Sequence, residues 1–194
     1  MQALQQAHPH ARVELWAEDE HRLGLKPILR RVWARRGQRL RAVVRPRYEW
    51  EYVYGFVQPE TGDTEWLLMP TVNIAAFTSA LAHFAQQVGA GADKQILLVV
   101  DQAGWHISPA VHLPAGLHLE WLPPYSPELQ PAERLWPLTN EPLANRAFAD
   151  LAALDAVLAA QCVRLAEQPQ RVRAQTLFHW WPRLAPMPEP FIRT

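Results

Sequence analysis

The first regular pattern of hydrophobic and polar positions is an alternation near the start of the chain. In VELWAEDE, residues 13–20, the side chains of Val13, Leu15 and Ala17 fall on one side of an extended backbone. A period of two is typical of a strand with one buried face. We therefore predict a first strand over 13–17, which leads into three consecutive acids, Glu18, Asp19 and Glu20.

A hairpin and a helix are predicted next. Residues 49–70, EWEYVYGFVQPETGDTEWLLMP, place aromatic side chains on one face and supply turn residues before the chain returns. With the first strand, this hairpin makes a three-stranded antiparallel unit. Asn73 is expected to cap a helix over 74–87, where apolar residues recur at helical spacing.

A continuous apolar run predicts the next strand. Residues 96–101 read ILLVVD, which is typical of a strand buried on both faces. Asp101 would then stand at the carboxyl end of that strand, where open α/β sheets place their chemistry. A strand over 119–122 and helices near 132–140 and 150–166 complete the pattern. The pattern alone predicts an α/β fold with a mixed sheet.

The segment from 119 to 136, LEWLPPYSPELQPAERLW, joins the last strand to a helix. Its prolines end the strand, because proline cannot donate to a ladder. A helix that begins near Pro131 has Glu133 in its first turn. One interpretation is that Glu133 has no role beyond stabilising the helix through the positive end of the helix dipole. Alternatively, Glu133 joins the acids of two strand ends in an all-oxygen site suited to Mg²⁺ or Mn²⁺.

Composition narrows the class of protein. The 194 residues are 49% hydrophobic and 20% charged, as in a single globular domain. A lone cysteine, Cys162, is expected to be buried and indicates a reducing, cytoplasmic setting. The sequence has no membrane span and no apolar signal core. It also lacks a glycine-rich phosphate loop and a nucleophile elbow, which argues against a nucleoside triphosphatase and a hydrolase triad.

The net charge is zero, but the positive charge is concentrated. Residues 21–48 contain ten Lys and Arg and no acid. Such a strip is either a solvated surface or a phosphate-binding surface along DNA, and its excess of Arg favours DNA. Trp33, inside the strip, is expected to be buried, with stacking on a base as the alternative. The candidate DNA-binding residues are Arg30, Arg31, Arg35, Arg36, Arg39 and Arg41.

Three motifs carry a resemblance to a known family. They are WAEDE at 16–20, VVDQAGWH at 99–106 and LPPYSPELQPAERLW at 122–136. Together they resemble the catalytic domain of DDE transposases, in the ribonuclease H-like superfamily that includes the retroviral integrases, and in particular the bacterial insertion-sequence branch related to mariner elements. The resemblance runs from about Val13 to about Leu165. It departs from the branch pattern where Gln102 and Gln130 stand for Asn and Ala132 stands for Ile.

The resemblance implies the site residues. Asp19, Asp101 and Glu133 would be the catalytic triad and the ligands of two Mg²⁺ or Mn²⁺ ions. Between Asp101 and Glu133 lie 31 residues, close to the spacing usual for this branch. His106 and Glu20, which stand near the same edge, are candidates for a helper role. For His106, plain hydrogen bonding is the alternative.

The resemblance also implies a fold and the boundaries of the domain. A ribonuclease H-like fold has a mixed five-stranded sheet, with strands 1–3 antiparallel and strands 4 and 5 parallel, flanked by helices. We expect an N-terminal extension over 1–12 and a DDE catalytic domain over 13–167. An irregular C-terminal tail, residues 168–194, is expected to pack on that domain.

The implied function is metal-dependent DNA strand cleavage and strand transfer at transposon ends, with TA as the target and a homodimer as the active complex. Such a protein would work in the bacterial cytoplasm, at the nucleoid when bound to DNA. Only about twelve residues precede the first strand, so a separate helix-turn-helix chain is an expected partner. The alternatives are an inactive or domesticated remnant that binds DNA without cutting it, and a structure-selective nuclease of the same fold.

Overall fold

A mixed sheet forms the centre of the computed structural model, which describes residues 1–38 and 47–182. Its strands are β1 (Arg12–Gly24), β2 (Trp50–Gln58), β3 (Asp63–Met69), β4 (Lys94–Val100) and β5 (Leu117–Trp121). They lie in the order β3-β2-β1-β4-β5. The pairs β1–β2 and β2–β3 are antiparallel, and β1–β4 and β4–β5 are parallel. The predicted sheet is confirmed in strand number and direction.

Helices flank this sheet. They are α1 (Gln2–Ala7), α2 (Ile74–Val88), α3 (Trp136–Thr139), α4 (Leu151–Ala166) and α5 (Pro169–Thr176). The side chain of Asn73 caps α2 by accepting a hydrogen bond of 2.8 Å from the Ala76 N–H. Asp150 caps α4 in the same way through the Ala153 N–H. No helix among the described residues has the length and apolarity needed to cross a membrane.

The alternation along β1 divides the core into two layers. Trp16 packs with Phe84 of α2 and with Tyr54 in one cluster of buried side chains. Leu15, on the other face, packs with Leu158 of α4 in a second cluster. Because both faces are covered, polar side chains of the central strands reach solvent mainly where the strands end. Candidate functional side chains are therefore expected at the ends of the central strands.

Three elements differ from the predictions. The strand β1 continues to Gly24, well past the predicted 13–17, because Ala17–Gly24 pair with β2. The helix expected over 132–140 is a 3₁₀ turn over Ala132–Leu135, followed by the four-residue α3. The tail was expected to be irregular from 168, yet Pro169–Thr176 form α5, which buries Val172 and Thr176 on one side. Cys162 is buried, as predicted.

Candidate active site

The acids Asp19, Asp101 and Glu133 line one cleft of about 440 Å³. Asp19 comes from β1, Asp101 follows the last residue of β4, and Glu133 lies in the 3₁₀ turn before α3. The remaining wall consists mainly of the proline-rich segment Leu122–Pro127 and of Gln102, Ala103 and Gln130. The structure therefore brings together the three acids that the sequence singled out.

Strand register explains why the two aspartates meet. The strands β1 and β4 are parallel, and their last paired residues are Ala17 and Val99. Asp19 and Asp101 each lie two residues beyond that pair, so they emerge side by side at the same edge. Gln102, next in the chain, donates from Nε2 to the carbonyl oxygen of Leu122 at 2.9 Å, which ties the edge to the end of β5.

Glu133 is brought to this edge by Gln130. The buried Gln130 side chain donates from Nε2 to the backbone oxygen of Glu18 at 2.9 Å. Its Oε1 accepts from the Ala132 N–H at 3.3 Å. The turn that carries Glu133 is thus fastened to β1 beside Asp19. Gln130 stands where the resembled branch has Asn, and it joins the third motif to β1 through this hydrogen bond.

The electrostatics of the cleft are those of crowded negative charge. Burial raises the pKa of Asp19 to about 7, with the charges of Glu20 and Glu133 adding to the effect, while the hydrogen bond from Trp136 opposes it. Burial also raises the pKa of Glu133, Arg134 opposes that, and Asp101 adds to it. No Lys or Arg of the described residues lines the cleft. Three carboxylates in a cleft of this kind fit a hard divalent cation such as Mg²⁺.

Asp101 is anchored from behind by His106. Nδ1 of His106 donates to Asp101 Oδ1 at 2.7 Å, and the ring is fully buried whereas the Asp101 side chain is 53% exposed. The hydrogen bond from His106 lowers the pKa of Asp101, against the effect of burial. His106, a predicted helper, therefore contacts a predicted ligand directly.

A buried acidic pair surrounds the other nitrogen of His106. Its Nε2 is 3.2 Å from Glu20 Oε1 and 3.7 Å from Glu18 Oε2. Burial alone would lower the pKa of His106, but hydrogen bonds to Asp101 and Glu20, with the charges of Glu18 and Glu20, raise it to about 10. Burial, followed by the charge of Glu20, raises the pKa of Glu18 well above its usual value.

Glu18, Glu20 and His106 have the donor atoms of a metal site, but His106 can itself balance the negative charge of the two acids. Glu18, Glu20 and His106 each offer one ligand atom, all within 4.8 Å of one another. The raised pKa of His106 favours its charged form, and the ring lies within 3.7 Å of both acids and 2.7 Å from Asp101. The cleft in front, which three acids and no described Lys or Arg line, is the better metal site.

Two contacts of the site were not predicted. The Trp105 indole N–H donates to Glu20 Oε1 at 2.9 Å. The Trp136 indole N–H donates to Asp19 Oδ2 at 3.0 Å. Trp136 closes the third motif, three residues after Glu133, but its spacing alone did not indicate a partner 117 positions away.

The predicted arginine strip is exposed where it is described. Arg30, Arg31, Arg35 and Arg36 are all exposed, whereas Arg39 and Arg41 lie outside the described residues. The prediction that Trp33 is buried is wrong, because its segment lies outside the sheet and helices and the side chain is fully exposed. A second cleft of about 350 Å³ is lined by Arg22, Lys26 and Arg47 together with Trp50.

Two sequence comparisons find known proteins that are similar to this chain. The sequence profile of the family described as DDE superfamily endonuclease matches residues 14–155. A Sinorhizobium fredii protein, described as uncharacterized protein y4pE/y4sA, is 34% identical over 132 residues, which are 68% of this chain and 96% of that protein.

Solved structures are similar in fold. A pre-cleavage Mos1 transpososome matches with a TM-score of 0.56 and 15% identity, over 91% of this chain and 59% of that chain. The mariner Mos1 paired-end complex with Mg matches with a TM-score of 0.52 and 20% identity, over 83% of this chain and 55% of that chain. The chain thus spans well under two thirds of these transposase chains, and the likeness confirms the ribonuclease H-like fold.

Proposed function

This chain belongs to the DDE superfamily of endonucleases, and from that premise we propose that it is a transposase catalytic domain that cleaves and joins DNA strands with divalent metal ions. The observation that carries the proposal is the convergence of Asp19, Asp101 and Glu133 in one cleft. Each acid comes from a different element, so their meeting is a property of the fold rather than of local sequence.

The three acids are proposed to hold two Mg²⁺ or Mn²⁺ ions. Two such ions about 3.5–4 Å apart stabilise charge on both the attacking and the leaving oxygen of an in-line displacement at phosphorus. Asp101, directly after the end of β4, is proposed as the shared ligand. Asp19 and Glu133 would complete the two sets of ligands. Burial is the main cause of the raised pKa of Asp19, and the negative charges of Glu20 and Glu133 add to it. A bound cation would relieve that added repulsion.

His106 and Glu20 are proposed to assist without contacting DNA. His106 holds one oxygen of Asp101 through a hydrogen bond of 2.7 Å. Glu20 accepts from the other ring nitrogen, and also from Trp105, and so fixes the ring. The role of both residues is to keep the Asp101 carboxylate in one orientation at the edge of the sheet.

DNA is the proposed partner of the cationic surface. Arg30, Arg31, Arg35 and Arg36 are exposed, and Arg39 and Arg41 belong to the same run of sequence. A separate helix-turn-helix chain is proposed as a second partner, which would recognise the transposon ends. From the resemblance of its motifs to the mariner-related branch, the active complex is proposed to be a homodimer on DNA, with TA as its target.

The direct test is strand nicking by matched glutamate variants. Glu133→Gln keeps the size of the side chain but removes its charge, so nicking of a supercoiled plasmid that carries the gene's flanking DNA should fall by orders of magnitude in Mn²⁺. The control is Glu128→Gln, which changes an exposed acid of the same segment and should leave nicking unchanged. DNA affinity should be equal in both.

Two results would contradict the proposal. If Glu128→Gln abolishes nicking and Glu133→Gln does not, the third ligand is wrongly assigned. If the wild-type chain binds DNA but does not nick it in Mn²⁺ with a DNA-binding partner supplied, the chain is a binding remnant and not an enzyme.

A further inference from the structure

The indole of Trp136 is held against the first acid of the cleft. Its Nε1–H donates a hydrogen bond of 3.0 Å to Asp19 Oδ2. The ring is only 9% exposed, so it belongs to the core as much as to the cleft. The proposed function does not require this hydrogen bond, yet the sheet leaves space for the Trp136 indole that donates it.

Gly55 makes room for that ring. It is the residue of β2 that pairs with Asp19 of β1. A Cβ atom at position 55 would lie 2.8 Å from Cη2 of Trp136, closer than real Cβ contacts. The absence of a side chain directly across from Asp19 therefore creates the slot that the indole occupies.

His21 keeps the ring in this slot. The imidazole stacks on the indole with ring centroids 4.9 Å apart and planes inclined by 14°. Nε2 of His21 lies 3.1 Å from Oδ1 of Asn140, which follows α3. His21 is two residues after Asp19 and on the same face of β1, so one strand presents both the acid and the ring that supports its donor.

We propose that Trp136 is a positioning residue that fixes the orientation of the Asp19 carboxylate. The inference rests on the proposed function, because it concerns the same cleft. With Oδ2 of Asp19 held by the indole, Oδ1 is left for a cation. Asp101 is held in the same manner, since its Oδ1 accepts from His106 at 2.7 Å and from the Ala103 N–H at 2.9 Å.

Glu133 differs from the two aspartates. Within residues 1–38 and 47–182, no side-chain or backbone donor is bonded to its carboxylate. Its backbone oxygen, however, accepts from the Trp136 N–H at the end of the 3₁₀ turn. The same turn thus carries Glu133, a ligand that is free to adjust, and Trp136, the donor that orients Asp19. This gives a physical reason for the three-residue spacing between Glu133 and Trp136.

The test removes the indole N–H without changing the shape of the ring. Trp136 is replaced by 3-benzothienylalanine, which has sulfur in place of the N–H, and Mn²⁺ binding to the full chain is measured by calorimetry. We expect the Kd for Mn²⁺ to rise about 10- to 100-fold, as for other groups that orient metal ligands. Trp136→Phe, which also lacks the donor, should change the Kd in the same direction.

Trp16 provides the matched control. Its Nε1–H also donates to an acid of β1, Glu14, at 3.0 Å, but on the face away from the cleft. The same replacement at Trp16 removes an equivalent bond and should leave the Kd for Mn²⁺ unchanged. The thermal midpoint without metal, measured for both variants, reports any purely structural effect.

The outcomes separate the inference from its premise. A wild-type Kd in the Trp136 variants would overturn the positioning role while leaving the proposed function intact. Equal weakening by the Trp16 and Trp136 replacements would overturn it too, because the cause would then be lost stability. Failure of the wild-type chain to bind Mn²⁺ would overturn the proposed function itself.

Discussion

Neighbouring acids on β1 have opposite surroundings, and this decides what each can do. Glu18 is fully buried on the side of α2, where neither of its oxygens has a hydrogen-bond partner among the described residues. Asp19, one residue later, faces the cleft. The sequence predicted an acidic strand end and the residues of the triad, because strand patterning and motifs are local. It did not predict which side chain covers Glu18, because His106 arrives from a distant loop.

Glu51 is an acid whose burial has a consequence for stability. Its side chain is 9% exposed, and burial, followed by the nearby charge of Asp155 and a hydrogen bond shared with it, raises its pKa from 4.5 to about 7. The folded protein therefore holds this proton more tightly than the unfolded chain. Its stabilising contribution is complete below pH 4.5 and is lost as the pH rises through about 7.

We expect Glu51→Gln to remove that pH dependence. Chemical denaturation between pH 4.5 and pH 8 should show the free energy of unfolding falling less steeply in the variant than in the wild type. Glu49→Gln, at an exposed position two residues earlier, is the control and should follow the wild-type curve. A variant whose curve is parallel to that of the wild type would show that Glu51 ionises normally in the folded protein.

At the scale of elements, the strands were more predictable than the segment that carries Glu133. Strand positions follow from hydrophobic patterning, which the sheet preserves. The helix expected over 132–140 is instead broken into a 3₁₀ turn and the short α3, which has Pro137 in its first turn. Proline there lacks the N–H that would continue a regular ladder from the preceding turn. The short turn is what places Glu133 and Trp136 on the same side of the cleft.

The turn between β2 and β3 fastens α5 to the sheet. Gly62 has φ of +87°, and a Cβ atom there would collide with the backbone oxygen of Pro169. Gly62→Ala should therefore lower the free energy of unfolding by at least about 1 kcal/mol, measured by urea denaturation. Gly91→Ala, where a Cβ meets nothing within 4 Å, is the control and should change stability little. A Gly62→Ala variant as stable as the control would show that α5 is not fixed by this turn.

At the scale of the whole molecule, the zero net charge conceals both the basic run of residues 21–48 and the acidic cleft. If the exposed arginines follow a DNA backbone, affinity should fall steeply with salt. Replacing Arg30, Arg31, Arg35 and Arg36 together by Gln should flatten the slope of log affinity against log salt by up to about 3 to 4 units, at about 0.9 for each phosphate that is no longer neutralised. Filter binding or fluorescence anisotropy at several salt concentrations measures the slope.

A double variant controls for the general loss of positive charge. Arg164→Gln with Arg171→Gln removes two basic residues of α4 and α5, outside the 21–48 run of the sequence, and should keep the wild-type slope. A quadruple variant that also keeps the wild-type slope would show that the strip is only a solvated surface.

The central claim, that Asp19, Asp101 and Glu133 hold two divalent ions, is tested most directly by anomalous diffraction. Crystals of the chain with a short DNA duplex and MnCl₂ should show two Mn²⁺ peaks about 3.5–4 Å apart in the cleft, with Asp101 touching both. Crystals of Asp101→Asn should show neither peak. No Mn²⁺ peak in contact with Asp101, or a peak only among Glu18, Glu20 and His106, would contradict the account.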